Sequence, residues 1–249
     1  MTAIGWVTAF VDVPASRMAT AADFWCAATG TRLSARRGEA GQFATFLPRR
    51  GDPQLRIQGL REGPPGVHVD LHSPDVDGLA GRAESLGASV QHREPGLVVL
   101  RSPAGIGLCC VASHGESELP PPVAGERVDQ VCLDVPGDHH DQELAFWSGL
   151  TAWEVQHGTR HEEFTLLRRA GDPRSVQLLV QRLQGDDESG RAHLDLAVGA
   201  DAELLDRTTA RHTSLGAEVV QRHAWWHVMR DPAGLTYCLT RRDPVTGLA

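Results

Sequence analysis

Two stretches of the chain alternate apolar and polar positions in the same way. In Gly66-Val-His-Val-Asp-Leu71 the residues Val67, Val69 and Leu71 fall on one side of an extended segment and His68 and Asp70 on the other; in Arg191-Ala-His-Leu-Asp-Leu196, Leu194 and Leu196 oppose His193 and Asp195. Each is a strand with one greasy side and one side carrying an imidazole and a carboxylate. Period-two patterning also predicts strands over residues 6–13, 32–36, 43–47 and 54–59, and near 88–92, 97–101 and 107–111. Met18 to Thr29 follows a helical period that buries Ala22, Trp25 and Cys26, and a second helix over 75–86 stops at Gly87. The first half is therefore a βαβββ unit made twice.

The whole pattern then recurs. Val11-Asp-Val-Pro14 returns as Leu133-Asp-Val-Pro136, Phe24-Trp25 as Phe146-Trp147, Gly51-Asp-Pro53 as Gly171-Asp-Pro173, and Gln58-Gly-Leu60 as Gln181-Arg-Leu183. Leu86-Gly-Ala88 returns as Leu215-Gly-Ala217, and Arg101-Ser-Pro-Ala-Gly105 as Arg230-Asp-Pro-Ala-Gly234. The offset drifts from 120 to 129 residues, as short loop insertions would make it. Between the copies, residues 112–126 are polar and rich in proline, the composition of a semi-rigid connector. The division expected is a domain over 1–113, a linker over 114–125 and a second domain over 126–249.

Composition narrows the class of function. With 249 residues, 41% of them hydrophobic, the chain can build real cores, and a net charge of −8 without a dense arginine stretch excludes nucleic acid as the expected partner. No run approaches the roughly 18 apolar residues of a membrane span, and Met1 to Trp6 has no basic region leading into an apolar run. The expected compartment is the cytoplasm and the expected partner a small organic molecule. Five cysteines without a C-x-x-C pair read as free thiols. All 24 basic residues are arginine, so Schiff-base chemistry at lysine is excluded.

Carrying the alternation to the other strands gathers the candidate chemistry. A curved sheet with helices on its apolar side leaves Gln130, Asp134, Gln181, His193, Asp195 and Cys238 on a concave wall, and Thr8, Asp12, Gln58, His68, Asp70 and Cys109 at the matching places of the first half. Adjacent Cys109 and Cys110 cannot both face it. His193, Asp195 and His68 are the candidate catalytic residues, because an imidazole serves in both protonation states near neutral pH. Equally, a strand His-Asp pair can be a hydrogen bond held in place. Trp225-Trp226-His227 sends one indole to each side of its strand, with Trp225 and His227 sharing a face, and offers a flat apolar wall to a ligand. Trp25 and Trp147 are expected to anchor helices. Asp138-His-His-Asp141, His157 and His161 have metal-like composition but are expected on the solvated surface.

These motifs together resemble the vicinal oxygen chelate superfamily, specifically its two-domain glyoxalase-like proteins. The resemblance rests on Asp134 with Phe146-Trp147, Gln181, the His-Leu-Asp-Leu strand, the Leu-Gly-Ala turn and Asp231-Pro-Ala-Gly234, and covers almost all of both halves. It implies an α+β fold of two tandem glyoxalase-like domains, each built from two βαβββ units forming a half-open curved sheet. In metal-dependent members the ion sits on a His or Gln of the first strand, a His of the strand that restarts the unit and a Glu of the last. Those places hold Gln130, His193 and Cys238 here, and Thr8, His68 and Cys109 in the first half. The last-strand carboxylate is missing from both, so no cofactor is expected; zinc or another divalent metal on Gln130, His193 and Cys238 is the exception to test.

Two functions follow. One is an enzyme abstracting a proton from a small organic substrate in the manner of a lyase or isomerase. The other is a binding protein that sequesters a drug or metabolite. Gln130, Asp134, Gln181, Trp225, Trp226, His227 and Cys238 are the ligand-binding candidates, the second half is the expected working site, and a monomer or a homodimer is expected.

Overall fold

The computed structural model describes residues 4–158, 161–169, 176–185 and 189–248. The Gly171-Asp-Pro173 copy lies outside the described residues.

Among the described residues the elements run β1 (Trp6–Pro14), α1 (Met18–Thr29), β2 (Arg32–Leu33), β3 (Phe43–Leu47), β4 (Leu55–Leu60), β5 (Gly66–Ser73), α2 (Val76–Ser85), β6 (Ser89–Glu94), β7 (Leu97–Arg101) and β8 (Gly107–Ala112). The second half runs β9 (Arg127–Pro136), α3 (His140–Thr151), β10 (Glu154–His157), β11 (Phe164–Arg168), β12 (Gln177–Leu183), β13 (Arg191–Ala197), α4 (Ala202–Ser214), β14 (Glu218–Arg222), β15 (Trp226–Arg230) and β16 (Thr236–Thr240). This is βαβββ four times, the α+β pattern read from the repeats. Two eight-stranded sheets result, ordered β2-β3-β4-β1-β5-β8-β7-β6 and β10-β11-β12-β9-β13-β16-β15-β14.

Local chemistry sets the boundaries. Asp75 caps α2 by accepting the Gly78 amide at 2.9 Å, and Gly87, at φ +104°, takes the left-handed turn that stops it. Helix α1 covers the predicted span but buries Phe24 along with Ala22 and Trp25, while Cys26 is only half-buried. The strand predicted over 32–36 is cut to two residues: at Ser34 the side-chain hydroxyl, in place of a backbone carbonyl, accepts the Thr45 amide of β3, and it also accepts an Arg37 guanidinium N–H.

Packing gathers the chain into two compact units. One comprises Met1–Thr8, His68–Ser117 and Val131–Ala192. Its core holds Leu79 and Ala83 of α2 and Phe146 and Trp147 of α3, and the Trp147 indole donates to the buried Glu143 carboxylate at 2.7 Å. Glu143 also accepts the Ala104 amide at 2.9 Å, which ties α3 to the turn before β8.

The other comprises Ala9–Val67, Glu118–Gln130 and His193–Ala249. Here Phe24 and Trp25 pack on Tyr237 of β16, with ring centroids 5.8 and 5.2 Å away, and the Trp25 indole donates to Asp231 at 2.9 Å. Trp25 and Trp147 are both fully buried, as helix anchors should be.

Candidate functional site

In the second unit, parallel pairing of β13 with β16 sets Asp195 opposite Cys238, so both side chains stand on one face together with His193. His193 Nε2 lies 3.2 Å from Asp195 Oδ1 and 3.5 Å from Cys238 Sγ. The donor atoms of all three residues fall within 4.8 Å of one another. A rise of nearly 7 Å between residues 193 and 195 along the strand would suggest side chains too far apart to share a ligand. The tips converge nonetheless, because both side chains leave the same face and lean together.

Asp195 is 3% exposed and held from behind. Gln130 of β9 donates its amide to Oδ2 at 2.6 Å, and Arg242, doubly bonded to Asp129 at 2.7 and 2.9 Å, comes within 3.7 Å of the same oxygen. Oδ1 has no hydrogen-bond partner among the described residues. A buried carboxylate oxygen in that condition is costly, and here it points into the His193–Cys238 pair. Gln130, expected to offer a ligand oxygen, is thus committed through its amide nitrogen to orienting Asp195.

The first unit repeats the arrangement more loosely. His68 Nε2 is 3.8 Å from Asp70 Oδ1, and Asp70 is paired with Cys109 across β5 and β8. Thr8, the counterpart of Gln130, is taken up by His72: its hydroxyl lies 2.9 Å from Nε2, while His72 Nδ1 faces Glu116 at 3.2 Å. Burial, and then the charge of Asp70, push the Cys110 thiol up to about 12, which leaves it unreactive at neutral pH.

Asp134 and Gln181 meet at a residue the sequence reading passed over. Cys132 Sγ lies 3.7 Å from Asp134 Oδ1 and 3.5 Å from Gln181 Oε1, and Arg191 Nε approaches Asp134 at 3.3 Å. The signal was present, since Cys132 sits between Gln130 and Asp134 in the alternation of β9.

The Trp-Trp-His stretch is corrected. Val228 pairs with Cys238 and Trp226 with Thr240, so Trp226 is the indole on the Cys238 face, where it stacks on His223 with centroids 4.4 Å apart. His227 faces the other way. It is buried against α4, with Nδ1 2.8 Å from the Thr209 hydroxyl, and cannot contact a ligand beside Cys238. Trp225 precedes the strand and is 40% exposed, with the Arg241 guanidinium 4.3 Å above its ring. His140, expected on the surface, is 5% exposed and bonded to Arg182 at 2.9 Å, whereas Asp141 and His157 are exposed.

A buried polar network also escaped the sequence reading. Glu126 engages Arg211 with one oxygen and His212 Nε2 with the other at 2.8 Å, and His212 Nδ1 reaches the Tyr237 hydroxyl at 2.8 Å. Burial pushes the Tyr237 hydroxyl far above its ordinary range. These residues are over a hundred positions apart from end to end, and no local pattern links them.

One imidazole, one carboxylate and one thiol, with an orphaned carboxylate oxygen between them, suit zinc; a hard ion such as manganese would lack the oxygens it prefers. Among the described residues no helix is long and apolar enough to cross a membrane.

A protein-family model described as a glyoxalase-like domain matches residues 8–111 and again 130–240. No curated protein matches the chain. Similar solved structures include the Mn(II)-bound glyoxalase of Novosphingobium aromaticivorans, 15% identical with a TM-score of 0.69 over 100% of this chain and 85% of that one. The 2,2',3-trihydroxybiphenyl 1,2-dioxygenase of Sphingomonas wittichii is 15% identical, with a TM-score of 0.64 over 99% and 92%. An extradiol ring-cleaving dioxygenase from B. fuscum is 14% identical, with a TM-score of 0.66 over 99% and 74%. At these identities the likeness concerns the fold, and it bears out the vicinal oxygen chelate architecture.

Proposed function

The chain belongs to the glyoxalase-like domain family, and from that premise we propose that it is an enzyme acting on a small organic substrate at the His193–Asp195–Cys238 cluster, by proton abstraction of the lyase or isomerase kind. The observation that carries the reading is the fixed carboxylate beside the imidazole: Asp195 Oδ2 is clamped by Gln130 at 2.6 Å while Oδ1 stands 3.2 Å from His193 Nε2. His193 takes the substrate proton at Nε2, and the adjacent Oδ1 stabilises the imidazolium so formed. Trp226, on the face of Cys238, supplies an apolar wall for the organic body.

The test is solvent exchange. A panel of small carbonyl compounds is incubated with the chain in D2O and followed by NMR for deuterium at the carbon next to the carbonyl. Exchange that His193→Ala abolishes supports the reading. Retention of a co-purified ligand without exchange of any compound assigns the chain to sequestration instead.

The orphaned Oδ1 favours a second reading, in which His193, Asp195 and Cys238 hold a zinc ion. Such an ion would supply polarisation of a substrate oxygen. In that case Gln130 and Arg242 keep Asp195 turned toward the cluster, and Cys238 is held as thiolate. Elemental analysis after purification without chelator separates the two: near-stoichiometric zinc that His193→Ala removes establishes the second reading, and its absence leaves the first.

A further inference from the structure

The second unit contains a cavity of about 500 Å³ whose lining includes none of His193, Asp195 and Cys238. Its floor is apolar. Phe46, Leu55 and Val128 stand there with Leu196, and because Leu196 follows Asp195 directly in β13, its side chain leaves the opposite face of the strand. One wall is the proline-rich connector, where Pro120, Pro121, Pro122 and Val123 bring no side-chain donor or acceptor. It is seated closely: a Cβ on Gly30 would come within 2.5 Å of Val123, and one on Gly51 within 2.7 Å of the Pro120 backbone. A tight turn ends it, with the amides of Val123 and Glu126 each donating to the other's carbonyl at 3.0 Å and Ala124 held at φ +53° between them. The connector is therefore a formed wall and not loose chain.

The charges of the lining are matched within the protein. Glu126 gives one oxygen to Arg211 and the other to His212, and Arg50 donates to Glu118 at 2.7 Å. The Thr246 backbone amide first, and Arg127 among smaller influences, hold the Asp243 carboxyl below its ordinary range, so Arg127 has its counter-charge as well. Arg49 is exposed and keeps its hydration outside. The hydroxyls are also in use: Thr29 donates to the Trp25 carbonyl at 2.6 Å and shares a 2.8 Å bond with Thr31. Gln54, the remaining polar side chain of the lining, is neutral. An ion entering this space would shed its water against an apolar floor, among charges that already have partners. Water fares poorly too. The volume would hold on the order of fifteen molecules at roughly 30 Å³ each, and each wants about two to four polar neighbours, which these walls do not supply. An apolar body that displaces such water lets it bond fully outside.

We propose that this cavity is a second ligand site, for an uncharged organic molecule with an apolar body of about two rings, which rests on Phe46, Leu55, Val128 and Leu196 beneath the prolines of the connector. An acidic group added to the same body would weaken binding by the cost of stripping its hydration. The site lies behind the strand that carries His193 and Asp195, and it does not rest on the chemistry proposed for them.

The probe is N-phenyl-1-naphthylamine, an uncharged dye that brightens in apolar surroundings, titrated into the full chain. Its charged comparator is 1-anilinonaphthalene-8-sulfonate, the same ring system with a sulfonate added. Saturable binding of the uncharged dye is expected, with the sulfonate roughly tenfold weaker or more. Val123→Asp, at an exposed position, sets a charge on the wall and should weaken the uncharged dye by roughly tenfold. Thr31→Trp, at a half-buried position, fills the space and should weaken it by as much, whereas Trp226→Ala should leave it unchanged. Melting curves of both cavity variants establish that they are folded. The proposal is overturned by failure of the wild-type chain to bind saturably, by a sulfonate that binds as tightly as the uncharged dye, or by binding that a folded Val123→Asp or Thr31→Trp chain retains in full. Binding lost in Trp226→Ala but kept in Val123→Asp would place the dye beside Cys238 and overturns the proposal too.

Discussion

Gln130 Nε2 donates to Asp195 Oδ2 across 2.6 Å, in a place where both residues are almost wholly buried. The bond joins the first strand of the second repeat to the strand that restarts its βαβββ pattern, and it decides which carboxylate oxygen is left for His193. Gln130→Ala should therefore cost about 1–3 kcal/mol in denaturant unfolding, the usual penalty for stranding a buried acceptor. It should also lower whatever binding or exchange depends on His193. A variant as stable as the wild type would show that Arg242 alone holds Asp195.

The two His-Asp strands are not equivalent. His193 lies 3.2 Å from its aspartate and beside Cys238, whereas His68 is 3.8 Å from Asp70 and the first-strand partner Thr8 is occupied by His72. His193→Ala is expected to remove exchange or cluster binding, and His68→Ala to leave it within a few-fold. Ligand titrations of the two variants side by side check this, and the reverse outcome moves the working site to the first unit.

Trp147 is fully buried and hydrogen-bonded to Glu143. Trp147→Ala should cost about 3–5 kcal/mol, since it opens a large cavity in the core and takes the indole donor from one oxygen of the buried Glu143 carboxylate. Thermal and denaturant unfolding measure the loss. A Trp147→Ala chain that melts normally but no longer binds its ligand would make this residue part of the site rather than a helix anchor.

Stability should fall on mild acidification through His227. Burial, followed by the positive charge of Arg222, lowers this imidazole's pKa below its ordinary value. The unfolded chain accepts a proton near pH 6.5 that the folded chain still refuses, so the contribution is present above that pH and is lost as pH falls toward the depressed value. Unfolding free energies at pH 8 and pH 5.5 should differ less in His227→Gln than in the wild type. An equal pH dependence in both would remove His227 as a cause.

Much of the architecture was legible in residue order alone. Period-two alternation marked β5 and β13 and sorted His193 and Asp195 from Leu194 and Leu196, because successive side chains on a strand must leave opposite faces. The offset repeats implied four βαβββ units, and the helical period of residues 18–29 matched α1. Faces were less secure wherever a strand's first residue was uncertain. Starting β15 at Trp226 rather than Trp225 leaves Trp225 outside the strand, and only the pairing of Val228 with Cys238 shows which parity faces the cluster. The sequence by itself therefore determined which residues could share a wall, since alternation and repetition are local and survive in one dimension. Only the tertiary structure decided which of them touch: that the Gln130 amide donates to Asp195, that Thr8 meets His72, and that Glu126, His212 and Tyr237 close into one buried network. Those contacts depend on side-chain rotamers and strand register between segments 25 to 86 residues apart, on which no local pattern bears.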